Sequence, residues 1–406
     1  MIQITEDFFS FIDNNLEKDP IQLLLAFKKN KWDFDMELAV TQIICRKKNL
    51  DKLKSFISNP RFLFPDSLSA EQASHQGVAY FHASLVSPKD SVLDMTAGLG
   101  IDAFSMSRMA EKVTAVEISE HKAETLKYNA EVLKIPNLEV INDDSIKFLQ
   151  NSHRQFDLIF IDPARRGEGN KRVYNLKDCT PDVTQFQDLL MKHSPRIIIK
   201  ASPLLDVSQT LRDLKNIKSV RAVGVKDECK ELLIEIVSPS EISKQSSILL
   251  EAINLDKEGK IVSCFSITKT YEESEKGDIE YIDEKNIFPG DYLLEPSPMV
   301  MKIAPWSEIC KRFKAKKLDK SSHLFISKEK PKDFPGKVTK FEKFINKRDR
   351  KNLIGFPASV VSKNHPLSPD EIRKNFNLKE SDNNFIYATR IDGKPIMMLT
   401  FRTLSP

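Results

Sequence analysis

Apolar side chains at Phe8, Phe9, Phe11, Ile12 and Leu16, and again at Leu38, Val40, Ile43 and Ile44, recur at helical spacing. Glycine is absent from residues 1 to about 60, so residues 1–74 read as a helical region. Asn59-Pro60 and Phe64-Pro65-Asp66 break it. Ser69-Ala70-Glu71-Gln72 then opens another helix, with Ser69 or Ser67 as its N-cap. From residue 91 the period changes. Short β-branched or apolar runs at 91–95, 113–118, 138–142, 158–161 and 196–200 alternate with helical patterns at 102–110, 120–133, 145–150 and 182–192. Strand and helix in strict alternation predict a parallel sheet covered on both faces. Two further runs, 219–225 and 231–237, lie five residues apart, too close for a crossover helix, so they pair antiparallel.

The fold class expected is therefore α/β. A Rossmann-like, doubly wound sheet ending in an antiparallel hairpin occupies 75–270, after the helical region and before small C-terminal α+β domains at 271–323 and 324–406. Within 75–270, runs at 248–254 and 261–267 flank Asp256-Lys257-Glu258-Gly259 as a second hairpin. Residues 271–284 are acidic and polar, a linker pattern. The tail is expected to hold a strand at 324–327, a basic stretch, a strand at 358–362 and a helix after Ser368-Pro369-Asp370-Glu371. It closes with a hairpin, 385–390 and 395–401, around Asp392-Gly393, the strongest turn signal in the chain.

Composition narrows this little. Of 406 residues, 40% are hydrophobic and 30% charged, a globular balance. No apolar run approaches the roughly 20 residues of a membrane helix, and no basic region precedes an apolar stretch at Met1. The expectation is a cytoplasmic protein with no membrane partner. Five scattered cysteines (Cys45, Cys179, Cys229, Cys264, Cys310) match neither a disulfide framework nor a zinc site, so no metal is expected.

The chemistry concentrates in Asp94-Met95-Thr96-Ala97-Gly98-Leu99-Gly100. A strand ends at Asp94 and a glycine turn leads into a helix, the glycines being expected to let a ligand approach the backbone. A dinucleotide fold shares such a turn. Here, however, an acid stands four positions before the first glycine. Glu117 ends the next strand, where an acid accepts two hydrogen bonds from a ribose diol. Asp144 follows the third, within reach of an adenine amino group. Three acids at the carboxyl ends of consecutive parallel strands mark the edge where open sheets bind ligands.

In this order, followed by Asp162-Pro163-Ala164-Arg165-Arg166-Gly167, the region from about 75 to 240 resembles the class I S-adenosylmethionine-dependent methyltransferases. The resemblance implies that cofactor, with Asp94, Thr96, Gly98 and Gly100 at its methionine end, Glu117 on the ribose and Asp144 on the adenine. In base-amino methyltransferases the motif after strand four is Asn/Asp-Pro-Pro-aromatic, and the aromatic stacks on a flipped-out base. The implied roles are that Asp162 and the Pro163 carbonyl accept hydrogen bonds from an amino nucleophile. Ala164 and Arg165 depart from that motif, and a guanidinium plane can stack where a ring would. Arg165, Arg166 and Lys200 are the substrate-binding candidates. Arg165 and Arg166 equally suit phosphates or structural ion pairs, with Lys171 and Arg172 in the same loop. The Pro-x-Arg-Gly run is also similar to RNA uracil-5 methyltransferases. These place a nucleophilic cysteine at the end of strand five, where this chain has Lys200-Ala201-Ser202-Pro203. His75 and His82 read as packing or surface residues.

Between Lys311 and Lys351 stand 16 Lys/Arg against 5 Asp/Glu, an excess of about 11 in a chain whose net charge is +4. Phe313, Phe334, Phe341 and Phe344 interleave with it, for base stacking or for a core. The layout also looks like methyltransferases with a small ferredoxin-like segment (271–323) and a THUMP-like domain (324–406). The likeness rests on Asp162-Pro163-Ala164-Arg165-Arg166 and on the tail from Asn352-Leu353-Ile354-Gly355-Phe356-Pro357-Ala358 through Asp392-Gly393-Lys394-Pro395. It implies RNA as substrate, specifically N-methylation of a base in tRNA or rRNA. Methylation of a protein or small molecule, or RNA binding without catalysis, stand as alternatives.

Overall fold

The computed structural model describes residues 4–27, 32–165, 175–242, 247–270, 279–346 and 348–403. It divides into two compact units, residues 1–248 with 253–262, and residues 249–252 with 263–406.

The first unit opens with α1 (Glu6–Asn15), α2 (Pro20–Phe27), α3 (Met36–Asn49), α4 (Lys54–Ile57), α5 (Ser67–Gln72) and α6 (Gln76–Ser84). Thr5 caps α1 by accepting from the Phe8 amide. The apolar faces of α1 and α3 meet in a core of their own: Phe8, Phe9, Phe11, Ile12, Val40 and Ile43, closed by Leu23, Phe34 and Leu63. The single helix expected from Ser69 is in fact two. Asp66, not Ser67 or Ser69, caps α5, its carboxylate accepting from both the amide and the hydroxyl of Ser69. A carboxylate is the stronger acceptor for an N-terminal amide, and such a cap is worth about 1 kcal/mol. Ala73, extended at ψ 149°, ends α5, and the His75 ring caps α6.

The sheet strands are β1 (Ser91–Asp94), β2 (Lys112–Glu117), β3 (Leu138–Asn142), β4 (Leu158–Ile161), β5 (Arg196–Ala201), β6 (Ile217–Val225) and β7 (Glu228–Val237). They stand in the order β3-β2-β1-β4-β5-β7-β6, and β8 (Ser247–Leu255) and β9 (Ile261–Thr270) continue the sheet beyond β6. β1 to β5 pair parallel, and β7 runs antiparallel to both β5 and β6. Helices cover both faces, so β1 and β4 bury nearly every residue and read as unbroken apolar runs. The β6–β7 connection is tighter than expected. Lys226 and Asp227, both at positive φ (53° and 59°), form a two-residue turn whose twist suits a hairpin. Glu228 and Lys230 are exposed on β7, so apolar periodicity alone left the strand's start in the loop.

In the second unit the strands are β10 (Tyr292–Pro296), β11 (Ala315–Lys317), β12 (Phe325–Ser327), β13 (Gly336–Phe344), β14 (Ser359–Ser362), β15 (Asn384–Ile391) and β16 (Lys394–Arg402). Their order is β11-β12-β10-β13-β16-β15-β14. Asp392 and Gly393 (φ 46° and 72°) make the expected tight turn between β15 and β16. The helix Pro369–Phe376 begins with a complete Ser368/Glu371 capping box. β10, β11 and β13 escaped the sequence reading, and β13 lies inside the basic stretch. Phe341 at 1% exposure and Phe334 at 9% are core residues, not stacking platforms. Phe313 and Phe344 are half-buried, packed on Phe265 and Phe334 and on Phe341. Lys317 is buried and gives its Nζ to the Lys320 carbonyl, whereas most other bases of the stretch are exposed.

Candidate active site

Asp94 ends β1, register-paired with Ala115 of β2 and Phe160 of β4. Its side chain is 1% exposed and accepts from the Thr96 amide at 3.0 Å. Burial pushes its carboxyl up to about 7. The chain then turns through Gly98 (φ 55°) and Gly100 (φ 90°) into α7 (Ile101–Met106).

The two glycines serve different ends. A Cβ on Gly98 would meet nothing nearer than the Thr96 carbonyl at 4.0 Å, so the space over this turn is open to a ligand. A Cβ on Gly100 would stand 2.1 Å from Leu126 Cδ1 and 2.9 Å from the Phe104 ring. Close packing of α7 against Leu126 and Phe104 by itself requires a glycine at position 100.

Glu117 ends β2 and joins this turn directly. One oxygen accepts from the Gly98 amide and the other from the Ser119 amide, both at 2.9 Å. Each oxygen keeps a lone pair for a diol. The next residue, Ile118, is 71% exposed, an apolar surface on the rim that the sequence reading passed over. Asn142 ties the end of β3 to this rim through the carbonyls of Glu117 and Ile118. Asp144 caps α9 (Ser145–Asn151), counting α8 as Glu120–Val132. Its Oδ1 accepts from the amides of Ile146 and Lys147. The three acids thus stand at the carboxyl ends of adjacent strands, and the glycine turn bonds to the second. A cationic ligand bearing a ribose fits that donor set.

Asp162 and Pro163 follow β4 immediately. The Thr96 hydroxyl accepts from the Asp162 amide at 2.7 Å, so Thr96 acts on the β4 loop as well as on the glycine turn. Ala164 and Arg165 pair with Thr180 and Cys179 through the backbone. Arg165's side chain and all of Arg166, Lys171 and Arg172 lie outside the described residues.

Lys200, expected as a contact for substrate phosphate, sits near the end of β5 with its side chain 12% exposed. Its ammonium is bonded to Asp162 Oδ2 at 2.5 Å and to Ser74 Oγ at 2.8 Å, with Asp102 Oδ2 at 3.7 Å. Ser74 also donates to Asp102. Asp102, on α7, meets His82 Nδ1 at 2.8 Å, and His82 Nε2 meets Glu231 of β7 at 2.5 Å. Burial alone would discharge His82, but Glu231 and Asp102 outweigh it and its pKa is pushed up to about 10. Lys200 likewise rises against its burial because Asp162, Asp102 and Glu231 surround it. Sequence reading treated His82 as a packing residue. Its partners lie 20 and 149 residues away, beyond any local pattern.

No group of three or more His, Cys, Asp or Glu could hold a metal ion among the described residues. No disulfide joins any of the five cysteines among the described residues. No helix is long and apolar enough to cross a membrane among the described residues.

Several segments of the chain are similar to known proteins. Residues 80–178 match the family described as conserved hypothetical protein 95, residues 292–335 a ferredoxin-like domain, and residues 337–402 a THUMP-like domain. An uncharacterized RNA methyltransferase of Mycoplasma mobile is 34% identical over 85 residues, 21% of this chain and 23% of that one. The ribosomal RNA small subunit methyltransferase D of Haemophilus influenzae is 42% identical over 76 residues, 18% of this chain and 39% of the relative. The chain spans about a quarter of the length of the first curated relatives it matches. A crystal structure from Porphyromonas gingivalis W83, provisionally assigned as a methyltransferase, superposes over 100% of both chains with a TM-score of 0.84 at 25% identity. The fold and the matched domains are similar to those of S-adenosylmethionine-dependent methyltransferases that carry a THUMP-like domain at the C-terminal end.

Proposed function

We propose that this chain is a cytoplasmic S-adenosylmethionine-dependent methyltransferase that N-methylates a base in RNA, tRNA or rRNA. One observation carries the reading. Asp162-Pro163 is fixed through the Thr96 hydroxyl to the same turn that Asp94 and Glu117 frame, so substrate acceptor and cofactor rim are one rigid unit. In this role Asp94 and the open face of Gly98 hold the methionine end, Glu117 the ribose and Asp144 the adenine, with Ile118 against the adenine ring. When bound, S-adenosylmethionine supplies a methyl on a sulfonium. That methyl would pass to a nitrogen oriented by Asp162 and the Pro163 carbonyl, with the thioether as leaving group and the nitrogen's surplus proton released to solvent. The protein's task is then orientation, holding the amino nitrogen about 3–3.5 Å from that methyl. Asp162 and the Pro163 carbonyl accept the two amino hydrogens. The buried Asp94 complements positive charge at the methionine end.

RNA as substrate rests on the names of the curated relatives, on the THUMP-like match and on the exposed bases between Lys311 and Lys351. Those bases are proposed to contact phosphate, and Arg165 and Arg166 the flipped base or its flanking phosphate. Covalent carbon methylation is disfavoured. β5 ends in Lys200-Ala201, and Cys179, the thiol nearest in the loop, is buried and paired through its backbone with Arg165.

The test has two parts. Calorimetric titration of the full chain with S-adenosylmethionine is expected to show one site. Mass spectrometry of nucleosides from cells with and without the gene is expected to show one N-methylated base missing. No cofactor binding would overturn the enzyme reading; an unchanged nucleoside profile with methylated protein or metabolite would overturn the RNA reading.

A further inference from the structure

We propose that Lys200 is a positioning residue for Asp162, and that the buried series Glu231–His82–Asp102–Lys200 exists to keep it there. This rests on the methyltransferase reading and deepens it. The alternative, a phosphate contact, finds no support in the geometry. The ammonium donates to Asp162 Oδ2 and Ser74 Oγ and stands 3.7 Å from Asp102 Oδ2, all within the protein.

Asp162 needs such a partner. Its side chain is 39% exposed, and the charges of Asp94, Asp102 and Glu231 act on the same site. Burial pushes the Asp162 carboxyl above its ordinary value, and Lys200 is the chief force pulling it back. A protonated Asp162 would donate where it must accept, so it could no longer orient an amino group. Lys200 bonds to Oδ2, and in this proposal Oδ1 is the atom that meets the substrate.

Lys200 is held in turn. A lysine on a flexible stem does not by itself fix a carboxylate. Asp102 and Ser74 grip the ammonium from α7 and from the residue before the α6 cap. His82 fixes Asp102, Glu231 fixes His82, and the His82 ring lies 5.1 Å from that of Phe160, two residues before Asp162. The series therefore anchors Asp162 to four elements: α6, α7, β5 and β7. Thr96 anchors its backbone separately.

The experiment compares the full-length wild type with K200M, K200R and H82Q. Because K200M strands carboxylates in the interior and threatens folding, the charge-balanced K200M/D102N is measured beside it. The first readout is steady-state RNA methylation across pH. A positioning role predicts that K200M lowers kcat by about 100-fold or more with KM for RNA within about twofold. The acid limb of the pH profile should move up by about one unit, K200R should recover part of the rate, and H82Q should show the same change more weakly. The second readout needs no turnover. Carbon-13 NMR of aspartate-labelled protein, with Asp162 assigned through D162N, should show that carboxylate titrating higher in both K200M and K200M/D102N. A rise in KM at constant kcat, with a shallower salt dependence of RNA binding, would overturn the proposal in favour of phosphate contact. An unmoved Asp162 titration would overturn it outright. If the wild type methylates no RNA yet the Asp162 titration moves, the positioning inference stands and the substrate reading falls.

Discussion

The cofactor rim and the buried series behind Asp162 do related jobs with opposite materials. On the rim the acids work largely through the backbone. Asp94 accepts from the Thr96 amide, Glu117 from Gly98 and Ser119, and Asp144 from Ile146 and Lys147. Behind Asp162 the partners are side chains from distant parts of the chain. The rim is thus a property of local motifs, and the series a property of the assembled sheet. Damage to the first should show in binding, and damage to the second in rate.

The sharpest way to break that division is D162A. It is expected to lower methylation by about a thousandfold or more while leaving S-adenosylmethionine affinity within a few-fold by calorimetry. An unchanged rate would remove Asp162 from the chemistry. Next come the glycines. G100A should destabilise the fold by about 2–4 kcal/mol in urea titrations, because its Cβ meets Leu126 and Phe104 at positive φ. G98A should cost only about 1 kcal/mol of stability yet weaken cofactor binding, since its Cβ enters open space. The smallest effect is one of pH. Asp94 has its carboxyl raised to about 7, so a ligand that needs the carboxylate should bind about tenfold more weakly per pH unit below about 7, and D94N should flatten the profile. The sign for folding is opposite. A raised Asp94 contributes stability at acid pH and loses it as pH climbs through about 7, a loss that bound cation would offset.

The same contrast explains what could be read from the sequence. The five parallel strands were legible because each is a short apolar run between turn residues, and the acids because each ends such a run. Asp392-Gly393 and the Ser368/Glu371 box are self-contained chemistry, so they too were visible. β13 was not, since Lys337, Lys340 and Lys343 hide its alternation with buried Thr339 and Phe341. Lys200 reads as a substrate contact because nothing near it in sequence predicts Asp102 or Ser74 as neighbours. His82 sits in a mostly apolar helix, where a buried imidazole and a buried ion pair leave the same local signature. Gly100 was assigned to ligand approach because a glycine's spacing does not say whether a small molecule or a leucine needs the room.

The hydroxyl of Thr96 carries a mechanical consequence. It links the loop that would cradle one reactant to the loop that would grip the other through a single 2.7 Å bond. Neither loop shifts without dragging its neighbour. On the proposed reading, loading the first reactant is expected to stiffen the seat for the second.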